Sequence, residues 1–310
     1  MIQERIVATI RFFDLQGLPL TMLEVYKYLV IQPQLLQDKL DDAYELVSES
    51  EPSHIVSLDT VLFALNDLVL NTRLEQSHGY YFLPGKKFLV AERLRNHVYG
   101  IARERRIKRW ATLLYHIPFV RGAGLTGSQA LGQERSGSDI DLFLFTDERF
   151  LWTARTLVTG YFQILGLRRH GKKIANRFCL NHYAAGAKKL ETGKNIFTAL
   201  EYIKLRPVTA GISVSAFKTN NTRWLYTFFP NALRINSLTT ENSKRSLIQK
   251  LSELLFTNPL GQWFERTLAR VQMKRIRQEK YIVVEPDELS FHPNSKEVEL
   301  LQAFFKKTAI

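Results

Sequence analysis

The stretch LTGSQALGQERSGSDIDLFLF, residues Leu125–Phe145, decides the fold of this chain. It passes from an apolar segment through a Gly-Ser pair and a polar loop into a second apolar segment, which begins at Asp139 and Asp141. Because side chains alternate between the two faces of a strand, both carboxylates point to one side while Ile140 points to the core. Two carboxylates on one face repel each other unless a cation lies between them. The pair therefore predicts a cation site at the start of a strand.

The residue types on both sides of the loop indicate which chemistry the site supports. Mg²⁺, or Mn²⁺ in its place, takes oxygen ligands and keeps coordination positions for phosphate oxygens. Gly127 lets the backbone approach a ligand closely, and Ser128 at a helix start adds a hydroxyl beside unpaired backbone N–H groups. Together the two halves predict a site for nucleotidyl transfer, in which metals neutralise a triphosphate, activate an attacking oxygen and assist departure of pyrophosphate.

Length, charge and cysteine content limit the class of protein. The 310 residues are enough for two or three domains, and the net charge of +13 favours an anionic partner such as nucleic acid. The single cysteine, Cys179, excludes an intramolecular disulfide and a cysteine-rich zinc site. No apolar run reaches the roughly 18 residues of a membrane span, and the charged start MIQERIVATIRFF is unlike a secretory signal. We expect a cytoplasmic protein without a membrane partner, and its oligomeric state stays open.

Residues 1–85 are predicted to form short helices followed by a hairpin. Ser57 is a candidate N-cap, and two short strands are expected around Arg73–Glu75 and Tyr80–Leu83. This pattern resembles a winged-helix domain, a fold that serves either nucleic-acid binding or protein docking. Both roles stay open, because the candidate recognition helix offers phosphates a poor surface. Its polar residues are Asp59, Asn66 and Asp67.

Two further regions flank the central one. Residues 86–115 are predicted to form one long basic connecting helix, with a break near Gly100, that is either a solvated face or a wall beside a phosphate site. Residues 236–310 are predicted to be mostly helical, with one apolar face and one basic cluster. The apolar face consists of Leu247, Ile248, Leu251, Leu254 and Leu255, and the basic cluster of Arg266, Arg270, Lys274, Arg275 and Arg277.

The central region, residues 116–235, is where the chain resembles a known family. Gly127-Ser128, ten residues and then Asp139-Ile140-Asp141 resemble the signature of the polymerase-beta-like nucleotidyltransferase superfamily, over roughly residues 115–207. The resemblance implies an α+β fold, in which a mixed sheet carries flanking helices. It also implies that Gly127 and Ser128 bind the phosphates of a nucleoside triphosphate, and that Asp139 and Asp141 bind the divalent metals.

The chain departs from this family at the third carboxylate, which the family usually carries on a later strand. The matching segment, RFCLNHYAA, has no acid, and Asn181 stands where one is expected. Asparagine hydrogen-bonds but takes no proton, so Asn181 is a candidate for nucleotide binding. Three explanations stay open: Glu201 on the next helix completes the site, two carboxylates suffice with water as proton acceptor, or the domain is a non-catalytic relative.

The resemblance and the charge together give a function. We expect an enzyme that moves a nucleoside monophosphate from a nucleoside triphosphate to RNA, for example to a tRNA 3′ end, because a basic protein favours a polyanionic acceptor. The alternatives are a degenerate nucleic-acid-binding or regulatory module and a protein-modifying or toxin-type nucleotidyltransferase. A basic loop is expected to contact the acceptor, whereas Cys179 and His182 are expected to be structural. The loop contains Arg168, Arg169, Lys172 and Lys173.

Overall fold

The computed structural model describes residues 2–31, 55–189, 194–209, 212–232, 245–276, 283–285, 288–290 and 295–308. These residues form an α+β fold, in which helices flank a six-stranded mixed sheet and a smaller three-stranded sheet lies near the amino terminus. None of the helices within these ranges combines the length and apolar character of a membrane-spanning helix.

The elements follow the predicted order closely. The helices are α1 (Ile2–Asp14), α2 (Met22–Lys27), α3 (Leu58–Leu70), α4 (Phe88–Ala111), α5 (Gly127–Leu131), α6 (Leu151–Ile164), α7 (Ile196–Ile203), α8 (Ile212–Asn220), α9 (Thr222–Phe228), α10 (Leu247–Leu254), α11 (Pro259–Ile276) and α12 (Ser295–Thr308). The strands are β1 (Leu20–Thr21), β2 (Glu75–Ser77), β3 (Tyr80–Phe82), β4 (Val120–Leu125), β5 (Ile140–Thr146), β6 (Phe178–Ala185), β7 (Arg206–Pro207), β8 (Val283–Glu285) and β9 (Glu288–Ser290).

The six-stranded sheet brings distant segments of the chain together in the order β7-β4-β5-β6-β9-β8. Strand β5 lies between β4, to which it is antiparallel, and β6, to which it is parallel. The carboxyl-terminal region contributes the last two strands, because β9 pairs with β6 and β8 pairs with β9. The sheet thus places the start of β5 beside the end of β4 and the start of β6.

Ser57 caps α3 as predicted, but the first hairpin strand is Glu75–Ser77, two residues beyond the predicted position.

The amino-terminal residues share an apolar core with the sheet and its helices. Phe12 of α1 packs against Phe197 of α7 and Phe304 of α12, with ring centroids 4.6 and 5.5 Å apart. Burying these rings stabilises the contact between the first helix and the last.

Helix α4 runs without a break through Gly100, so the predicted break there is wrong. The glycine instead makes room for a neighbour: a Cβ at Gly100 would lie 2.6 Å from the Oε1 atom of buried Glu134, in the loop between α5 and β5. Helix propensity disfavours glycine by about 1 kcal/mol, and the close packing of this loop against α4 explains its presence.

One arginine of α4 is buried and holds the same loop. Arg103 donates from Nε to the side chain of Asn176 at 2.7 Å, and its Nη2 donates to the carbonyl oxygens of Arg135 and Ser136. The basic helix therefore has two kinds of cation. Arg103 organises the loop that leads to Asp139, while others face the solvent, namely Arg95, Arg105, Lys108 and Arg109.

Helix α10 packs in the opposite orientation to the one its pattern predicts. Its leucine and isoleucine face is exposed, and the two buried side chains are Gln249 and Glu253. Gln249 donates to the carbonyl oxygens of Ile117 and Val120, and Glu253 accepts from the Phe119 N–H at 2.8 Å. Buried backbone groups around the start of β4 need hydrogen-bond partners. The free-energy cost of leaving them unpaired exceeds the gain from burying the leucine face of α10.

The remaining carboxyl-terminal elements agree with the sequence where they are described. Arg266, Arg270, Lys274 and Arg275 all lie on α11 and are exposed, whereas Arg277 lies outside the described residues. The region is mostly helical as predicted, with α10, α11 and α12, and it adds the two short strands β8 and β9.

We expect Glu253→Ala to lower the free energy of unfolding by about 1–3 kcal/mol, because it leaves the buried Phe119 N–H without its acceptor. Glu253 accepts from Arg121 Nη1 at 2.6 Å and from Arg245 Nη1 at 3.2 Å. Leu251→Ala on the same helix is the matched control and should stay within about 0.5 kcal/mol of the natural protein. Urea denaturation measures both, and equal effects would contradict the packing described for α10.

A lysine joins the amino-terminal residues to the helix that follows β4. Lys204, just after α7, lies with its Nζ 3.5 Å from the carbonyl oxygen of Leu131 and 4.8 Å from the centroid of the Tyr28 ring. Burial lowers the pKa of the Lys204 ammonium from 10.5 to about 8. Because the folded protein then holds fewer protons than the unfolded chain between pH 8 and 10.5, Lys204 makes stability rise with pH across that window.

Replacement of Lys204 by methionine should remove this rise. The free energy of unfolding, measured by urea titration at several values between pH 8 and 10.5, should increase more steeply in the natural protein than in Lys204→Met. Other titrating groups are common to both proteins, so the difference in slope isolates Lys204. Parallel curves would mean that the ammonium is not buried in solution.

Candidate functional site

A glycine brings the end of β4 against the start of β5. Gly127 opens helix α5 with a φ of +60°, a backbone conformation that glycine adopts at little cost. A Cβ at this position would overlap a carboxylate oxygen of Asp141 and lie 3.0 Å from its Cγ. The Gly-Ser turn and the carboxylate are therefore in direct contact, and only glycine permits that approach.

Ser128 follows in the same turn and is partly exposed. Its carbonyl oxygen accepts from the Gln133 N–H at 2.9 Å, which closes the short helix. In the part of the chain that the structure describes, no hydrogen bond engages the Ser128 hydroxyl. This hydroxyl is the one polar side-chain group of the Gly-Ser pair that a ligand would meet.

The two aspartates stand on one side of β5. Asp139 and Asp141 are partly buried, and Ile140 between them is fully buried, as the alternation predicts. Asp141 is also the position at which β5 pairs with Cys179 of the parallel strand β6. Neighbouring residues in register point to the same face, so Cys179 lies on the face of the sheet that carries the two aspartates.

Cys179 is a member of the site that the sequence did not predict. Its Sγ atom and one carboxylate oxygen from each of Asp139 and Asp141 all lie within 4.8 Å of one another. The expectation that Cys179 belongs to the inert core is wrong, because its neighbour Phe178 takes the core position opposite Ile140. Burial and the two carboxylates raise the pKa of the Cys179 thiol to about 12, so without a bound cation it is protonated at neutral pH.

An arginine from the predicted basic loop reaches this cluster. Arg169 Nη1 lies 2.5 Å from Asp139 Oδ2 and 3.4 Å from Cys179 Sγ. The Arg169 side chain is 42% exposed and that of Asp139 is 15% exposed, so the ion pair lies at the rim of the site. The loop was expected to contact an acceptor, and the structure shows that one of its cations compensates a site carboxylate.

Glu201 lies beside the Gly-Ser turn and not in the three-atom cluster. Its Oε1 atom accepts from the Thr126 hydroxyl and, at 3.3 Å, from the Gly127 N–H. Among the described residues, Asp139, Asp141 and Cys179 form the only group of three metal-binding side chains at this separation, and Glu201 is outside it. Its position suits a residue that orients the turn.

Asn181 lies on β6 close to an irregularity of the strand pairing. Asp141 pairs with Cys179, and Phe143 pairs with His182, so β6 has one more residue than β5 between these pairs. Asn181 belongs to this bulge. The register places Cys179, and not Asn181, opposite Asp141.

His182, the other residue expected to be structural, belongs to the buried aromatic packing. His182 is buried, stacks on Phe143 with ring centroids 3.8 Å apart, and lies with its Nε2 2.8 Å from Glu288 Oε1. Its structural role is confirmed by this packing. Trp224 is buried too, and its indole N–H donates to Asn221.

Neither family models nor curated proteins nor solved structures, when compared with this chain, give a match. The case for a function therefore depends on the geometry of the site. Two carboxylates on one face, a Gly-Ser turn in contact with one of them, and a cation at the rim fit a divalent metal that also binds phosphate oxygens. Asp139 and Asp141 are the residues that would hold such a metal.

Two glycines allow a matched test of the contact with Asp141. Gly127 and Gly132 both have positive φ, but a Cβ at Gly132 would meet no atom within 4 Å. We expect Gly132→Ala to lower the free energy of unfolding by about 1–2 kcal/mol through backbone strain alone. Gly127→Ala should lower it further, because its methyl group overlaps the carboxylate. Equal losses in urea denaturation would contradict the close approach.

Proposed function

We propose that this chain is a metal-dependent nucleotidyltransferase, which moves a nucleoside monophosphate from a nucleoside triphosphate to an acceptor, with RNA as the favoured acceptor. The observation that carries the proposal is the contact of Gly127 with Asp141, beside Asp139. It joins the residues suited to phosphate with the residues suited to metal in one site.

The order of elements supports the finer fold assignment. Strand β4, the Gly-Ser turn, helix α5, the antiparallel strand β5 with its carboxylates, helix α6 and the parallel strand β6 agree with a nucleotidyltransferase core. Helices α1 to α3 with the three-stranded sheet β1-β3-β2 support the winged-helix-like assignment of residues 1–85.

Each side chain of the site has a task in this proposal. Asp139 and Asp141 would hold a divalent metal, which would supply charge neutralisation for the triphosphate and for the departing pyrophosphate. Ser128 meets the phosphates with its hydroxyl donor, and Gly127 keeps the turn free of a side chain at that place. Glu201 orients the turn through Thr126 and Gly127, and water accepts the proton of the attacking hydroxyl.

The acceptor is argued from charge. The net charge of +13 and the exposed residues Lys172 and Lys173, in the loop that carries Arg169, favour a polyanion beside the carboxylates. RNA satisfies this requirement, and a tRNA 3′ end is one such acceptor.

A second candidate function is a non-catalytic nucleotide- or nucleic-acid-binding module. Two observations favour it: Arg169 already compensates Asp139, and Glu201 already accepts from the Gly127 N–H. A site with internal partners binds metal and phosphate less readily than one whose groups await a ligand.

Label transfer distinguishes these functions. The purified protein is incubated with each α-labelled nucleoside triphosphate, Mg²⁺ or Mn²⁺, and total RNA, beside the double variant Asp139→Asn/Asp141→Asn. We expect label on RNA, and a loss of at least about a hundredfold in the double variant, because metal stabilisation of the transition state supplies several kcal/mol.

Glu148→Gln/Glu299→Gln, which removes two exposed carboxylates outside the site, is the charge-matched control and should transfer label like the natural protein. Transfer that persists in the double variant would rule out the metal assignment. Label on protein would favour the protein-modifying alternative, and nucleotide binding without transfer would favour the binding module.

A further inference from the structure

We propose that Cys179 is the third ligand of the metal site, and that it makes the site prefer a borderline-soft divalent cation such as Zn²⁺ or Co²⁺ over Mg²⁺. The inference rests on the proposed function, because it takes Asp139 and Asp141 as the other two ligands. It assigns to Cys179 the place that a third carboxylate holds in the family this chain resembles.

The pairing of β5 with β6 places Cys179 beside the aspartates. Cys179 pairs with Asp141 across the parallel strands β5 and β6, while Phe178 pairs with Ile140 and both are fully buried. Alternation then sets Cys179 and Asp141 on the other face of the sheet from Ile140 and Phe178. The residue of β6 that pairs with Asp141 is therefore a cysteine, and its thiol lies beside the carboxylates.

The distances between the three candidate ligand atoms are close to those around one metal ion. The Sγ atom and the two carboxylate oxygens lie within 4.8 Å of one another. Zinc binds a cysteine sulfur at about 2.3 Å and a carboxylate oxygen at about 2.0–2.2 Å, so ligands of one ion stand up to about 4.5 Å apart. Small side-chain movements bring all three atoms to one cation.

Arg169 shows that a positive charge is already bound at this cluster. Its Nη1 atom contacts Asp139 Oδ2 at 2.5 Å and Cys179 Sγ at 3.4 Å, which are two of the three ligand atoms. Positive charge is thus already bound between a carboxylate and the sulfur. A divalent cation there would displace this exposed guanidinium, which would then be available to a phosphate.

Ligand chemistry gives the selectivity. Mg²⁺ prefers oxygen ligands, whereas thiolate ligands favour softer ions such as Zn²⁺. Coordination expels the thiol proton to solvent, so the bound sulfur is a thiolate. A cysteine in place of a carboxylate therefore shifts the preference of the site from Mg²⁺ towards thiophilic cations.

Co²⁺ absorption tests the sulfur ligand directly. Because Cys179 is the only cysteine in the chain, any sulfur-to-cobalt charge-transfer band in the near ultraviolet comes from this residue. We expect the band in the natural protein and not in Cys179→Ser, with Co²⁺ affinity at least about tenfold lower in that variant. Mn²⁺ binding, followed by electron paramagnetic resonance, should change little, and Cys179→Asp should shift the preference back to Mg²⁺.

A second measurement needs no cysteine variant, in case Cys179→Ser does not fold. The rate of Cys179 alkylation is measured in the natural protein with Co²⁺, Zn²⁺ or Mg²⁺. We expect Co²⁺ and Zn²⁺ to slow alkylation and Mg²⁺ to leave it nearly unchanged. In Asp139→Asn/Asp141→Asn the protection should be lost.

The failure of this inference is distinguishable from failure of the proposed function. Co²⁺ that binds through the aspartates without a charge-transfer band and without protection of the thiol would overturn the role of Cys179 while leaving the carboxylate site intact. If neither Mn²⁺ nor Co²⁺ binding depends on Asp139 and Asp141, the proposed function fails as well.

Discussion

The approach of Gly127 to the carboxylate of Asp141 is the contact on which the rest of the site depends. A side chain at Gly127 would overlap that carboxylate, so the turn after β4 and the start of β5 meet only because the position lacks a Cβ. The φ of +60° at the same residue turns the chain into α5. Gly127 therefore meets two demands, space and backbone conformation, that another residue meets only with strain.

A buried arginine and a half-buried glutamate hold the elements around this contact. Arg103 of α4 donates to the loop that leads to Asp139, and Glu201 of α7 accepts from the residues on each side of the turn. Each interaction places a charged group where solvent is scarce, so each group needs its partners. Helix α4 therefore contributes to the site through one buried cation, Arg103, which holds the loop before Asp139. Its exposed cations add to the positive charge of the surface.

Tertiary packing overrode the sequence pattern in two places. The apolar periodicity of residues 247–255 predicted a buried leucine face, yet α10 buries Gln249 and Glu253, because irregular backbone before β4 needs hydrogen-bond partners. The glycine in the middle of α4 predicted a break, yet the helix continues, because Glu134 fills the space beside Gly100. In both cases a polar group from a distant part of the chain determined the local structure, and the local sequence pattern did not predict it.

The sequence by itself determined the order of elements around the sheet, the helix caps, and the one-sided placement of Asp139 and Asp141, because these follow from period and residue type. It also selected the Gly-Ser turn as their partner. Only the tertiary structure decided that Cys179 faces them, that Arg169 pairs with Asp139, and that Glu201 holds the turn. The position of Cys179 follows from the pairing of β5 with β6, and the contacts of Arg169 and Glu201 join segments far apart in the chain, so no local pattern records any of the three.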